Sequence, residues 1–310
     1  MSALNALSGD LIGADLRGSD LSHADLAGRD LSGADLRGTK LIGTNLCGAI
    51  LFEARLDGSE LMGVDLTDAN LMGCSAERAG FGNAVMIGAN LTGATLTGAT
   101  LSGAKLHGAS LQAANMQKVR IDGADLTNAD FSRADLQHAE LTACAVSGAT
   151  FRAADLRGSR VRALTGYAKA DWIDADMRGA DFCGAARLRR FALDQNFLYE
   201  FKNAQPILYI VWRATSDCGR SLSLWGLWTL AIAVFFSLAY TQLGMDYGDH
   251  ETWLSPLYFS IVTLTTLGFG DALPATAGAQ GVVMVQVIIG YVMLGGLLSI
   301  TSNKMARRAD

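Results

Sequence analysis

Nine residues, Thr263-Leu264-Thr265-Thr266-Leu267-Gly268-Phe269-Gly270-Asp271, combine types suited to handling an ion without any catalytic side chain. Glycines alternate with residues that hold an extended backbone. That alternation lets successive carbonyls face one side, which an L-residue in every position resists. A ring of such carbonyls can replace the water shell of a monovalent cation. The rest of the chain offers little other chemistry. His23, His107, His138 and His250 are isolated in sequence, and Cys47, Cys74, Cys144, Cys183 and Cys218 include no C-x-x-C pair, so no zinc site is expected. No nucleophile–base constellation is visible, and neither an enzyme nor a cofactor is expected.

Two long apolar stretches flank the nine residues. The first span reads as 222–243 and the second as 281–302, each long enough to cross a bilayer and free of charge inside. Trp225 and Trp228 near one end of the first span, and Tyr240 near the other, read as interface anchors. Between the spans, residues 255–265 read as a short helix, with Ser255 as N-cap and Pro256 in the first turn. Basic residues sit outside the pair: Arg187, Arg189, Arg190, Lys202, Arg213 and Arg220 before it, Lys304, Arg307 and Arg308 after it, and none from Gly244 to Ala279. This asymmetry predicts a multi-pass protein of the inner (plasma) membrane with both termini in the cytoplasm and the nine-residue loop outside. No signal peptide is expected at Met1-Ser2-Ala3-Leu4-Asn5, which lacks a basic region and an apolar core.

Residues 1–185 are built differently. From Gly9 a large apolar residue recurs every five positions, at Leu11, Leu16, Leu21, Leu26, Leu31, Leu36 and onward to Val161, with a small residue two places before it. A period of five fits neither helix nor ordinary strand. It fits a chain that turns a quarter circle per pentad and points the small and the large residue inward on every side. About 34 pentads stack into about eight coils at ~4.8 Å each. Three places strain the frame. Ala76 stands where Leu is expected, which predicts a loosened coil or a loop. One extra residue enters between Val161 and Trp172. Arg29 occupies a small inward position and should either snorkel or mark a bulge. The first two breaks are open to reading as partner contacts or as tolerated bulges. Residues 186–220 read as a short helix or two capping the repeat, then an interfacial helix bearing Tyr209, Trp212 and Arg213, and 221–310 as the membrane part. The formal net charge of −5 shows no nucleic-acid footprint, and the 22 acidic residues of 1–185 are diluted by 16 basic ones.

The pentads resemble the pentapeptide-repeat family, A-(D/N)-L-x-x, as in Ala14-Asp15-Leu16-Arg17-Gly18. The resemblance implies an all-β right-handed quadrilateral β-helix. Some members are implied to mimic DNA and bind topoisomerases, which remains an alternative here. The nine-residue stretch resembles the potassium-channel selectivity filter, usually T-V-G-Y-G-D, matched at Thr266, Gly268, Gly270 and Asp271. This implies an all-α two-helix pore domain with pore helix 255–265, filter 266–270 and four copies around one axis. The carbonyls of Thr266, Leu267, Gly268 and Phe269, with the Thr266 hydroxyl, would then bind K+ as permeant ion, and Gly270 would turn the chain outward. Thr265, Val262 and Asp271 would support the filter. Leu267 stands where Val is usual, and Phe269 lacks the usual tyrosine hydroxyl. Val262 replaces a carboxylate that some relatives pair with the Asp. Gly290 falls where the family's inner-helix hinge lies, with close helix packing as the equal alternative. The expected partners are a homotetramer, the lipid membrane, potassium ions and an unknown cytoplasmic protein on the repeat. A weakly selective cation channel and a non-conducting tethered interaction protein stay as alternatives.

Overall fold

The computed structural model describes residues 11–183, 185–248, 251–268, 270 and 272–306. It divides into two units, Met1–Tyr199 and Glu200–Asp310.

The first unit is a coil of parallel bridges. Asp15 bridges Asp35, Asp35 bridges Arg55, Arg55 bridges Ser75, and the same step of 20 residues holds at every side up to Ala145–Thr165. Four pentads therefore make one coil. Each coil satisfies the next through its backbone, as in Leu36 N–H to the Arg55 carbonyl at 2.7 Å and Asp35 N–H to the Ala14 carbonyl at 2.9 Å. Among the described residues, the regular strands the coil yields are β1 (Glu140–Thr142) and β2 (Arg160–Arg162), paired parallel. Large and small inward residues together form one continuous buried core from Leu11 to Ala192. The large inward column that runs through Leu91 and Leu111 ends in aromatics: Phe131 stacks on Phe151 at 5.0 Å and Phe151 on Trp172 at 4.3 Å. Inward hydroxyls are paired locally; Thr44, for example, donates to the Leu21 carbonyl at 2.8 Å.

The extra residue lies where the pentads place it. The step becomes 21 from Thr150–Asp171 onward, and a 3-10 turn at Tyr167–Lys169 takes up the added length. Ala76 does not loosen its coil. It is fully buried, and bridges Ser75–Thr95 and Gly80–Thr100 continue unbroken on either side. The ladder is carried by backbone pairs and turns, so one short side chain leaves it intact. Arg29 makes no bulge either, since Asp30 bridges Ile50 in register; its side chain is exposed in the first described coil, where the inward positions Ala14 and Ser19 are also only half-buried. All five cysteines are free thiols, and burial pushes Cys74 up to about 12 and Cys144 up to about 11.

One helix, α1 (Ala186–Ala204), closes the last coil, where the sequence reading allowed a short helix or two. Its Leu188 and Ala192 enter the core. Its amides replace the carbonyls of a further coil. Gln195 Oε1 accepts the Trp172 N–H at 2.7 Å, and Asn196 Oδ1 accepts the Asp174 N–H at 3.0 Å. Without them those strand-edge donors would stay unpaired.

The second unit contains α2 (Pro206–Ser216), α3 (Leu222–Tyr240), α4 (Ser255–Leu264) and α5 (Ala277–Ala306). Two of them, Leu222–Tyr240 and Ala277–Ser302, are long and apolar enough to cross a membrane. A two-residue ribbon, β3 (Met245–Asp246) with β4 (Leu273–Pro274), pairs the segment before α4 with the segment before α5. The first span stops at Tyr240 rather than 243. The second starts earlier than Gly281, because Thr276 Oγ1 accepts the Ala279 N–H at 3.2 Å and caps a new first turn. Ser255 is the first residue of α4 rather than its N-cap, and its hydroxyl accepts the Thr252 N–H at 2.8 Å.

Candidate functional site: the loop between α4 and α5

The loop begins where α4 ends, and that end is closed by its own backbone. Thr266 N–H donates to the Thr263 carbonyl and Leu267 N–H to the Val262 carbonyl, both at 3.1 Å. This pair of bonds is the Schellman arrangement, which needs a left-handed residue at the position held by Thr266. Thr266 has φ 59°, an unusual conformation for a β-branched residue, where glycine is the ordinary choice. Gly268 at φ 51° and Gly270 at φ 76° continue the left-handed turns, whereas Leu267, between Thr266 and Gly268, does not share them. The Thr266 hydroxyl donates to the Thr265 carbonyl at 2.7 Å, leaving its lone pairs open. Thr265 donates to the Ile261 carbonyl at 2.8 Å, and Val262 is buried under the helix end. Leu267 is exposed, as are Gly268 and Gly270. Phe269 and Asp271 lie outside the described residues.

Helix α5 backs this loop. A Cβ on Gly290 would stand 2.5 Å from the Leu264 carbonyl oxygen, so only glycine lets α5 approach the end of α4 this closely. Gly296 does the same for Trp225, whose ring atoms would lie 2.3 Å from such a Cβ. Trp225 is therefore a packing residue clustered with Met293 and Ile300, not an interface anchor. Trp228 keeps an exposed ring but donates its indole N–H to the Ala214 carbonyl of α2 at 2.9 Å. Tyr240 is likewise buried rather than at an interface, with its hydroxyl donating to Gln286 Oε1. Gln286 in turn donates to Ser260 of α4, at 2.9 Å to its carbonyl and 2.7 Å to its hydroxyl. The sequence reading missed this cluster. Its signal lies in the sequence: an uncharged polar side chain in an apolar span must find a partner.

A cavity of about 310 Å³ opens beside the loop, between Val262, Thr263, Thr266 and Gly268 on one side and Val287 and Tyr291 of α5 on the other. Among the described residues no group of three or more His, Cys, Asp or Glu side chains could hold a metal ion.

Family models match both parts. The model described as "Pentapeptide repeats" matches residues 9–28 and 30–68, and "Pentapeptide repeat region" matches 74–151. The model described as "Ion channel" matches 223–307, which holds the whole loop, the second apolar helix and all but the first residue of the first. The chain thus joins a region similar to pentapeptide repeats to a region similar to ion channels. A homologue is two pore potassium channel b of Oryza sativa subsp. japonica, 32% identical over 93 residues, which cover 29% of this chain and 26% of the rice protein. The chain thus spans about a quarter of that relative's length. Among solved structures, the pentapeptide-repeat protein HetL of the cyanobacterium Nostoc sp. is 26% identical with a TM-score of 0.33, covering 59% of this chain and 95% of HetL. The fluoroquinolone-resistance protein QnrB1 is 16% identical with a TM-score of 0.22, covering 59% of this chain and 97% of QnrB1.

Proposed function

We propose that the chain is the subunit of a homotetrameric, potassium-selective channel. In this reading the carbonyls of Thr266, Leu267, Gly268 and Phe269, with the Thr266 hydroxyl, form the ion sites, and Gly270 turns the chain outward. Thr265, Val262 and Asp271 support the loop, and Gly290 adds a hinge to its packing role. The observation that carries the reading is the loop itself. It leaves a short buried helix between two spanning helices, with left-handed backbone at Thr266, Gly268 and Gly270 but not at Leu267. Such an alternation permits successive carbonyls to turn to one side, the geometry a dehydrated cation needs. One chain supplies one such strand, so a closed ring needs several copies. Exposed apolar residues on α5, among them Ile288, Tyr291 and Val292, offer the surface that neighbouring copies and lipid would cover.

The basic flanks of the spans support cytoplasmic termini in the inner (plasma) membrane. The repeat, which we read as a right-handed quadrilateral coil, then modulates gating or localisation, with a cytoplasmic protein as its partner. Its interior is filled, so it provides no ion path. Purified full-length protein in liposomes loaded with potassium should release the ion down its gradient and run as a tetramer in detergent. A well-folded tetramer that releases none would favour the tethered-interaction alternative.

A further inference from the structure

Gln286 sits in the first half of α5 and is fully buried. A neutral amide offers two donors and one acceptor function, and here both ends are in use. Its Nε2 donates to the Ser260 carbonyl at 2.9 Å and the Ser260 hydroxyl at 2.7 Å, while its Oε1 accepts from the Tyr240 hydroxyl. The Ser260 hydroxyl passes the chain on, donating to the Ala233 carbonyl at 2.7 Å. One continuous set of hydrogen bonds therefore leaves α3 at Tyr240, crosses α5 and α4, and returns to α3 at Ala233. Helix α4 has ten residues, too few to hold itself, so its position comes from what it touches. Ser260 lies six residues before Thr266, on the helix whose C-terminal carbonyls close the loop. In an apolar surrounding, an arrangement of α4 that left these groups unpaired would be strongly disfavoured.

We propose that Gln286 is a positioning residue for the ion-selective loop. Through Ser260 it sets the depth and rotation of α4, and with them the height at which residues 266–270 leave the helix. Gly290, four residues on along α5, sets the distance of closest approach to Leu264; Gln286 sets the register at that distance. The proposal rests on the channel reading of the loop.

The test uses the full chain reconstituted in liposomes, with Gln286→Met, Ser260→Ala, the two combined, and Tyr240→Phe. Methionine keeps the length and shape of glutamine without its donors. The tetramer should persist in Gln286→Met while the permeability ratio of potassium over sodium falls about two- to tenfold, the range of one lost hydrogen bond. Ser260→Ala should lower it similarly, and the losses in the double variant should fall short of the product of the two single ones, because both variants cut the shared Gln286–Ser260 hydroxyl bond. Tyr240→Phe, which spares the Gln286–Ser260 bonds, should lose less. A tetrameric Gln286→Met chain with the wild-type ratio, or losses that multiply in the double variant, would overturn the proposal. If Gln286→Met fails to assemble, Ser260→Ala and Tyr240→Phe, each removing one oxygen, decide it by the same readout. Amide exchange across α4 separates this idea from the channel reading. Should the wild type conduct nothing, that reading fails, and unchanged α4 exchange in Gln286→Met would sink the positioning role too.

Discussion

In the repeat unit, a residue's partner is the same position one coil on; in the helical unit, partners are single residues drawn from different helices. Asp35 bridges Arg55, and the next coil repeats the arrangement with other side chains. Tyr240, Gln286 and Ser260 have no second copy among the described residues. The two units also use glycine differently. Gly48 serves a left-handed turn with open space above it, whereas Gly290 is there because a methyl group would strike the Leu264 carbonyl. A repeated contact spreads the cost of any one loss. A singular contact concentrates it, which suits a site whose geometry must be held.

The sharpest way to break this contrast is at Gly290. Gly290→Val should cost about 1–3 kcal/mol by overpacking against backbone that cannot move aside. Gly295→Val, which meets nothing within 4 Å, should stay close to wild type. Thermal unfolding in detergent compares them, and equal losses would remove the distinction between the two glycines.

At the end of the repeat the contrast narrows, because α1 supplies a cap that occurs once. Gln195→Leu leaves the Trp172 N–H without its acceptor, at a cost of about 1–3 kcal/mol. Amide exchange should quicken in the last coil and remain unchanged in the coils before Phe131. Uniform quickening would mean that the cap holds the whole stack.

Within the coils the effect should be smaller. Gly148→Ala and Gly48→Ala each force an L-residue into a left-handed turn, at φ 73° and 64°, costing about 1–2 kcal/mol. Gly148 should cost more, because its added Cβ would meet Asn128 Oδ1 of the coil before at 2.1 Å. Equal melting shifts would show that Asn128 swings away freely.

The least effect should come from acid. The Arg17 and Arg178 guanidinium groups, through side-chain hydrogen bonds, hold the Asp15 and Asp176 carboxyls down to about 2. Depressed carboxyls stabilise above their ordinary value near 4 and cease to do so as pH falls through about 2. Melting of the repeat should therefore be flat from neutral pH to about 4 and decline only below that. These are exposed pairs, so the decline should be slight. A steep loss above pH 5 would point to some other titrating group.

The pentad period made the coil legible, because every fifth residue must point inward for the chain to close on itself. Register, core and the inserted residue before Trp172 followed from it. Ala76 stands where Leu is expected yet leaves its coil intact, because backbone pairs carry the ladder. In the helical unit, glycines and threonines marked the loop, but not what holds it. Tyr240 and Trp225 carry the types of membrane anchors, and only packing shows that one bonds Gln286 and the other seats on Gly296. Types repeated every five residues announce their partners; a glutamine that meets a serine 26 residues away does not.

The claim on which the rest depends is that residues 266–270 select potassium, and the reversal potential of the full chain in a planar bilayer tests it directly. With potassium chloride on one side and an equal concentration of sodium chloride on the other, the current should reverse near the potassium equilibrium potential and shift with the potassium gradient. A reversal potential near zero, with sodium passing as readily as potassium, would contradict it.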